Sequence, residues 1–492
     1  MHSIGIYHNV VQNRAIFCFL STIKSEETMT SESQPQVTQT RKFFGTDGIR
    51  GMANIHPMTP DLVLKLGRAA GHVFRVGDKR HTVIIGKDTR LSGYMFESAL
   101  LAGLTSMGIH CLQVGPLPTP AIAFLTRALR ADAGIMISAS HNPFHDNGIK
   151  FFGPNGMKLP DELELEIERV LLSDEDLPMP TPHHLGRAHR IDDALGRYIE
   201  FAKTSFPKDL RLDGLRVVVD CAHGAAYKVA PAVLWELGAE VVTLGNHPNG
   251  TNINDGVGSL YPQEMVKRVQ EVRADVGIAF DGDADRVVIC DERGEILDGD
   301  VILAMSALEM KRKGVLRGDG VVATVMSNLG LERALAAEGL TLARTKVGDR
   351  YVLEHMLAHG FNLGGEQSGH LIFLDHNTTG DGLISALSVL ALMTTQAQPL
   401  SKLANVMQRV PQVLQNVTIA RGSDPMDDSR VVAAIAEAEA QLGTRGRILV
   451  RKSGTEPKVR VMVEGDDTAH ITALASGVCE AIKRASNGFG EG

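Results

Sequence analysis

The residues with the most explicit chemistry are Asp281-Gly282-Asp283-Ala284-Asp285-Arg286, which directly follow the apolar run Val276–Phe280 in a chain of 492 residues. Side chains alternate along extended backbone, so carboxylates at every second residue can converge as the chain leaves a strand. Three anionic oxygen donors in one place repel one another unless a hard divalent cation sits among them, and Mg²⁺ suits such a set. A calcium EF-hand is the competing reading, because Glu292 falls at loop position twelve. The glycine that loop needs at position six is Arg286, however, and the flanks read as strands.

Three further segments carry reactive or binding groups. Ile137-Ser138-Ala139-Ser140-His141-Asn142-Pro143 ends the apolar run Gly134–Ile137. A serine on such a loop is a nucleophile or a turn former, and the segment alone leaves both open. No G-x-S-x-G supports a hydrolase elbow, and His141 adjoins Ser140, where neighbouring side chains normally diverge. A phosphorylated Ser140 beside the triple-Asp loop would favour chemistry, since a metal offsets phosphate charge. Arg451-Lys452-Ser453-Gly454-Thr455-Glu456-Pro457, followed by Arg460, has the cations, hydroxyls and Gly turn of a phosphate cradle. A solvated hairpin turn is its plainer reading, and it is no P-loop. Gly364-Gly365-Glu366-Gln367-Ser368-Gly369-His370 offers a carboxylate and a hydroxyl to a polyol, or only links two strands. Basic residues also gather at Gly45–Gly51 (with Arg50), at Gly86–Arg90 and at Lys150. His183, His184 and His189 read as exposed linker residues, and Cys221, with no evident base, as a packing residue.

Regular elements must position these loops. Val83–Asp88, Val217–Cys221 and Val321–Val325 are short β-branched runs, followed by the helical stretches Met95–Met107, Ala230–Leu237 and Leu331–Glu338. Gly108 and Gly238 end helices, and the apolar runs Ile109–Val114 and Val241–Leu244 come next. Apolar strands alternating with helices predict parallel sheets covered on both faces. Three similar openings predict three α/β domains in series and raise duplication as their origin. The last stretch differs: a helix over Val431–Leu442 stopped by Gly443, then strands Arg447–Arg451 and Lys458–Glu464, predict a smaller α+β domain. Pro178–His189 and the residues around Pro411 are the expected linkers. The expected division is an extension over 1–40, then domains over 41–190, 191–296, 297–408 and 409–492.

Composition sets bounds on all of this. With 43% hydrophobic and 22% charged residues the chain builds several cores and is neither disordered nor fibrous. Aromatics at 5% against 50 glycines suit an α/β chain better than a β-sandwich or a base-stacking platform. A net charge of −8 argues against a non-specific polyanion binder but not against local phosphate recognition. No apolar run approaches the roughly 18 residues needed to span a membrane. The five cysteines form no CxxC pair, so a reducing cytosol is expected. Ala15–Leu20 is too short for a signal-peptide core, Ser25–Thr40 reads as disordered, and Met29 is the expected start of translation.

Taken together, the four loops resemble those of the α-D-phosphohexomutase superfamily, over about residues 41 to 485. The phosphoserine loop of that family matches Ser138–Pro143, the metal loop Asp281–Arg286, the sugar loop Gly365–Gly369 and the phosphate loop Arg451–Pro457. Phe44–Gly51, Phe144–Phe152, Val347–Val352 and Gln367 resemble the branch that acts on glucosamine phosphates. The resemblance implies a four-domain architecture around a central cleft, with three related α/β domains and a smaller C-terminal α+β domain. It implies a phosphoserine at Ser140 whose phosphate joins Asp281, Asp283 and Asp285 around Mg²⁺, with Arg286 steadying the transferred group. Lys150 is implied as general acid/base, its pKa lowered by a nearby cation, and His141 falls with the catalytic set. Arg50, Glu366 and Ser368 are implied in substrate binding, while Arg451, Ser453, Gly454, Thr455 and Arg460 hold the non-reacting phosphate.

The implied reaction interconverts glucosamine 6-phosphate and glucosamine 1-phosphate, on the way to UDP-N-acetylglucosamine and cell wall. Glucosamine 1,6-bisphosphate is its intermediate and activator. The implied partner is a small amino-sugar phosphate, with neither nucleic acid nor membrane, and the implied enzyme is a cytoplasmic monomer or homodimer. A phosphomannomutase/phosphoglucomutase and a non-catalytic sugar-phosphate binder are the rival readings.

Overall fold

The β-branched runs become strands because the fold covers both of their faces. β1 (Ile49–Met52), β2 (Thr82–Lys87), β3 (His110–Pro116), β4 (Ala133–Ile137), β5 (Asp146–Phe152) and β6 (Ala188–Arg190) form one sheet in the order β1-β5-β4-β2-β3-β6. β7 (Arg216–Asp220), β8 (Glu240–Leu244), β9 (Val276–Phe280), β10 (Val287–Asp291) and β11 (Ile296–Leu297) form a second, ordered β11-β10-β9-β7-β8. β12 (Gly320–Thr324), β13 (Thr341–Thr345), β14 (Leu363–Gly365) and β15 (Leu371–Phe373) form a third, ordered β13-β12-β14-β15. Every residue of β4, β9 and β12 is buried. The computed structural model describes residues 41–45, 47–77, 79–173, 176–419, 424–452 and 457–487, so the extension 1–40 lies outside the described residues.

The three sheets share one kernel. In β5-β4-β2-β3, β10-β9-β7-β8 and β15-β14-β12-β13 the first strand lies parallel between the second and third, and the fourth returns antiparallel beside the third. The sheets are therefore mixed, where the run pattern predicts parallel ones. The reason is connection length: residues 138–145, 281–286 and 366–370 are too few for a crossover, so the chain can only turn back. Those three returns are the serine loop, the Asp loop and the sugar loop.

The stretch Pro178–His189 does more than link. Pro182–His184 makes one 3₁₀ turn, and Ala188–Arg190 pairs parallel with β3 as the sheet edge. All three residues of β6 are exposed, so no hydrophobic signal marked it; pairing satisfies an otherwise bare edge. A boundary at 296 passes through β11, whose Leu297 still pairs with Ile289.

β16 (Gln412–Thr418), β17 (Gly446–Lys452) and β18 (Lys458–Gly465) make an antiparallel sheet, β16-β18-β17, packed by helices Ser429–Leu442 and Thr468–Asn487. This α+β unit has its own core, including Val431, Val461 and Ile482. The first three units instead share a continuous core that runs from Ile122 through Val219 and Ile278 to Leu303 and Leu387.

Candidate active site

The loop after β4 and the loop after β9 meet. Ser140 is buried, and its Oγ donates to Asp281 Oδ2 at 2.5 Å. One ligand oxygen from each of Asp281, Asp283 and Asp285 lies within 4.8 Å of the others, and all three side chains are buried. Extended alternation does not produce this convergence. Residues 281–286 form a turn in which Ala284 takes φ 56°, and the left-handed residue folds the carboxylates inward. The flanks are strands β9 and β10, so the EF-hand reading fails.

The donor set fits a divalent cation. Asp283 Oδ1 is buried with no hydrogen bond, and burial together with Asp285 and Asp283 pushes the Asp281 carboxyl well up. Asp285 is held well down: burial opposes this, but Lys150, His370 and Arg286 outweigh it. An all-carboxylate cluster with an orphaned oxygen is what a hard cation would complete.

Lys150 reaches the same carboxylates from β5, where it stands opposite Met136 of β4. Its buried Nζ lies 3.1 Å from Asp283 Oδ2, 3.1 Å from Asp47 Oδ2 and 3.4 Å from Asp285 Oδ2. Burial pulls its pKa down, yet Asp283, Asp47 and Asp285 together push it up. Arg50, a neighbouring cation, lowers it as expected, but the three carboxylates outweigh that. Arg50 on β1 ion-pairs with Asp47 at the rim.

His141 does not diverge from Ser140. The serine takes φ 52°, and this left-handed turn brings His141 Nδ1 to 3.3 Å of Oγ. Burial, then Arg286 and Arg50, lower the imidazole to about 4, so it is neutral at physiological pH. Arg286 donates its backbone N–H to Asp281 Oδ1 at 3.1 Å, and Asp285, Asp281 and Glu366 raise its guanidinium pKa against burial. Glu366 in the sugar loop accepts the Gly348 N–H at 3.1 Å, and Ser368 is exposed beside it.

The phosphate-loop candidates sit on the fourth sheet. Arg451 of β17 stands directly opposite Arg460 of β18, and burial and then Arg460 lower the Arg451 pKa. Ser453, Gly454 and Thr455 lie outside the described residues.

The chain is similar to known proteins along most of its length. Four family descriptions match in series: "Phosphoglucomutase/phosphomannomutase, alpha/beta/alpha domain I" over residues 41–177, domain II over 196–294, domain III over 298–410, and the C-terminal domain over 414–481. The phosphoglucosamine mutase of Agrobacterium fabrum is 58% identical over 445 residues, spanning 90% of this chain and 99% of that one. That of Novosphingobium aromaticivorans is 57% identical over 446 residues, spanning 91% and 100%. The chain belongs to the phosphoglucosamine mutase family. Among solved structures, a phosphoglucomutase/phosphomannomutase family protein from Burkholderia thailandensis matches with TM-score 0.74 at 25% identity, covering 90% of this chain and 98% of that one. Aspergillus fumigatus N-acetylphosphoglucosamine mutase, solved with GlcNAc-6P and magnesium, shares the fold with TM-score 0.62 at 18% identity over 91% and 97%. The family is one of sugar-phosphate mutases, and a phosphomannomutase/phosphoglucomutase reading is correspondingly disfavoured.

Several residues of this family member's site escaped sequence reasoning. Thr119 opens helix Thr119–Ala128 and donates its Oγ1 to Asp283 Oδ2 at 2.7 Å. His370 is buried with Nδ1 3.8 Å from Asp285 and Nε2 4.0 Å from Asp349, and although burial opposes it, those carboxylates push it up to about 9. Asp47 and His370 belong to the candidate segments Gly45–Gly51 and Gly364–His370, whereas Thr119 carries only the signature of a helix start. The candidate His183, His184 and His189 are exposed, and Cys221 is buried with its thiol pKa raised by burial.

Proposed function

We propose that this protein interconverts glucosamine 6-phosphate and glucosamine 1-phosphate, with Ser140 as the phosphoryl carrier. The observation that carries this is Ser140 Oγ set 2.5 Å from the Asp281 member of a buried carboxylate triad. A serine that was only a turn former would have no reason to face three carboxylates. Asp281, Asp283 and Asp285 would hold Mg²⁺, which when bound supplies positive charge for the phosphoryl oxygens.

The chain's own groups divide the remaining work. As the bond from phosphorus to Oγ breaks and one to a sugar hydroxyl forms, the hydroxyl proton must leave and Oγ gains negative charge. Lys150, held as an ammonium, is suited to donate a proton to Oγ or to stabilise its charge. Neutral His141, 3.3 Å from Oγ, is the adjacent free base. Arg286 steadies the transferred group, Arg50 and Asp47 form the rim, and Glu366 with Ser368 grips sugar hydroxyls. Arg451 and Arg460, which stand opposite each other on β17 and β18, hold the non-reacting phosphate together with Ser453, Gly454 and Thr455. Glucosamine 1,6-bisphosphate turns end for end between the two half-reactions, because one reacting centre serves both ends of the sugar. The same reading places the enzyme in the cytoplasm, as a monomer or homodimer.

Intact-mass analysis tests it. Wild type carries about 80 Da that Ser140→Ala lacks, and the variant loses at least about 1,000-fold in turnover. EDTA abolishes activity and Mg²⁺ restores it, and kcat/KM for glucosamine 6-phosphate exceeds that for glucose and mannose phosphates by at least about tenfold. Full turnover by Ser140→Ala refutes the phosphoserine. Binding without turnover by wild type leaves a sugar-phosphate binder.

A further inference from the structure

The loop that carries Ser140 is gripped from two sides by groups that donate neither to the carboxylate triad nor to Oγ. Arg90, fully buried in the loop after β2, is ion-paired with Asp88. Its Nη2 donates to the carbonyl oxygens of Ser140 at 3.1 Å and Asn142 at 2.5 Å. Asn254, in the segment between β8 and β9, donates its Nδ2 to the same two carbonyls, at 2.9 Å and 3.0 Å. Arg90 comes from the unit that bears Ser140, whereas Asn254 comes from the unit that bears the Asp triad.

Four hydrogen bonds on two carbonyls occupy both lone pairs of each, so neither peptide can rotate without losing two bonds. The constraint has something to hold. Ser140 takes φ 52°, a left-handed conformation that serine leaves unless its surroundings over-determine it. Asn254 takes φ 57°, and its own N–H is tied to Ala222 O at 2.9 Å. The Ser140 carbonyl also rests on bare backbone: a Cβ at Gly282 would stand 2.5 Å from that oxygen and 2.9 Å from Asn254 Nδ2.

We propose that Arg90 and Asn254 form a two-sided clamp on the Ser140 and Asn142 carbonyls that sets the aim of Ser140 Oγ, and that both are positioning residues for phosphoryl transfer. Asn254 makes that aim conditional on docking of the second unit against the first. Releasing the clamp lets the peptide after Ser140 swing, and a misplacement of about 1 Å at a reacting atom lowers rate by about 100-fold. The proposal rests on Ser140 as the phosphoryl carrier.

Two variants of Asn254 separate donor from backbone. Asn254→Gly keeps the left-handed backbone and removes the amide. Asn254→Asp keeps the shape but turns an oxygen toward two carbonyls. Each full-length enzyme is phosphorylated with glucosamine 1,6-bisphosphate, its phosphorylated fraction is read by intact mass, and it is mixed with glucosamine 6-phosphate for a single turnover. A misfolded fraction lowers the amplitude, whereas lost aim lowers the rate constant. The expected result is a rate constant reduced about 10- to 100-fold in Asn254→Gly and further in Asn254→Asp. KM for glucosamine 6-phosphate should stay within about twofold of wild type. Wild-type rate constants per phosphorylated enzyme in both variants would overturn the clamp, as would a raised KM with kcat unchanged. Ser140→Ala run in parallel distinguishes the failures. If it turns over, the phosphoserine reading falls and takes the clamp with it. If it is inactive while both Asn254 variants match wild type, only the clamp falls.

Discussion

At the scale of single residues, charge balance dominates the site. Lys150 is an ammonium within 3.4 Å of Asp47, Asp283 and Asp285, and its side chain is 4% exposed. Removing one partner of a buried charged cluster destabilises by about 3–5 kcal/mol, because the others are left uncompensated. Lys150→Met is therefore expected to lower the thermal midpoint without divalent cations and to lower kcat by at least about 100-fold. Added Mg²⁺ should raise the midpoint more in the variant than in wild type, since Lys150 pairs with Asp283 and Asp285, two of the carboxylates that would hold the cation. Melting curves with and without Mg²⁺ check this. An equal or smaller shift in the variant means that Lys150 does not compete for those carboxylates.

At the scale of elements, one helix start holds a buried carboxylate. Helix Gly299–Arg312 is capped by Asp298, and the buried Asp300 in its first turn accepts the Asn328 N–H at 2.8 Å through Oδ2. Burial, followed by Asp298, pushes the carboxyl up to about 7 against the hydrogen bonds from the Asn328 N–H and the Ser327 side chain. The unfolded chain ionises this group near 3.8, so between about 4 and 7 the folded state binds the extra proton. The term therefore costs stability progressively as pH rises through that window and levels off above about 7. Asp300→Asn keeps an oxygen for the Asn328 N–H and removes the titration. The fall in thermal midpoint from pH 5 to pH 8 should be smaller in the variant, and an unchanged fall would rule Asp300 out as its source.

At the scale of the whole molecule, the joints differ in kind. The first three units share apolar core, whereas the fourth has its own and meets the third through polar groups. Glu464, fully buried on β18, accepts from Asn328 Nδ2 at 3.1 Å, Gln412 Nε2 at 2.9 Å and the Leu329 N–H at 3.2 Å, and pairs with Arg447. Arg447 donates onward to the carbonyls of Val325 and Ser327 at 2.9 Å and 2.6 Å. Such a joint depends on directed bonds and loosens when one is cut. Glu464→Ala is expected to shift unfolding of the C-terminal unit to lower temperature, visible by calorimetry as a separate transition. It should also raise KM for glucosamine 6-phosphate several-fold, because Arg451 and Arg460 ride on that unit. A single transition with unchanged KM would show that the joint is not held there.

Local pattern made much of this legible. The helix expected over Val431–Leu442 spans Ser429–Leu442, and the strand expected over Val217–Cys221 spans Arg216–Asp220. The helix expected from Met95 begins at Ser92, since its first turn, Ser92-Gly93-Tyr94, lacks the apolar periodicity that marks the rest. β6 was invisible because exposed edge residues need only a partner strand. Ser140 and the Asp triad were legible as types and spacing. Lys150 and His141 are named through the family resemblance, but their contacts are not legible and Asn254 is not marked at all, because these depend on the strand register opposite Met136, on left-handed residues at 140 and 284, and on docking between units. Most of the elements, the family motifs and the residue types of the candidate site arise from neighbours along the chain and are legible there. The tertiary structure alone decided which cation meets which carboxylate and which donors hold the serine loop. Those contacts join residues more than a hundred positions apart, such as Ser140 with Asp281 and Asn254, and a short-range pattern has no term for them.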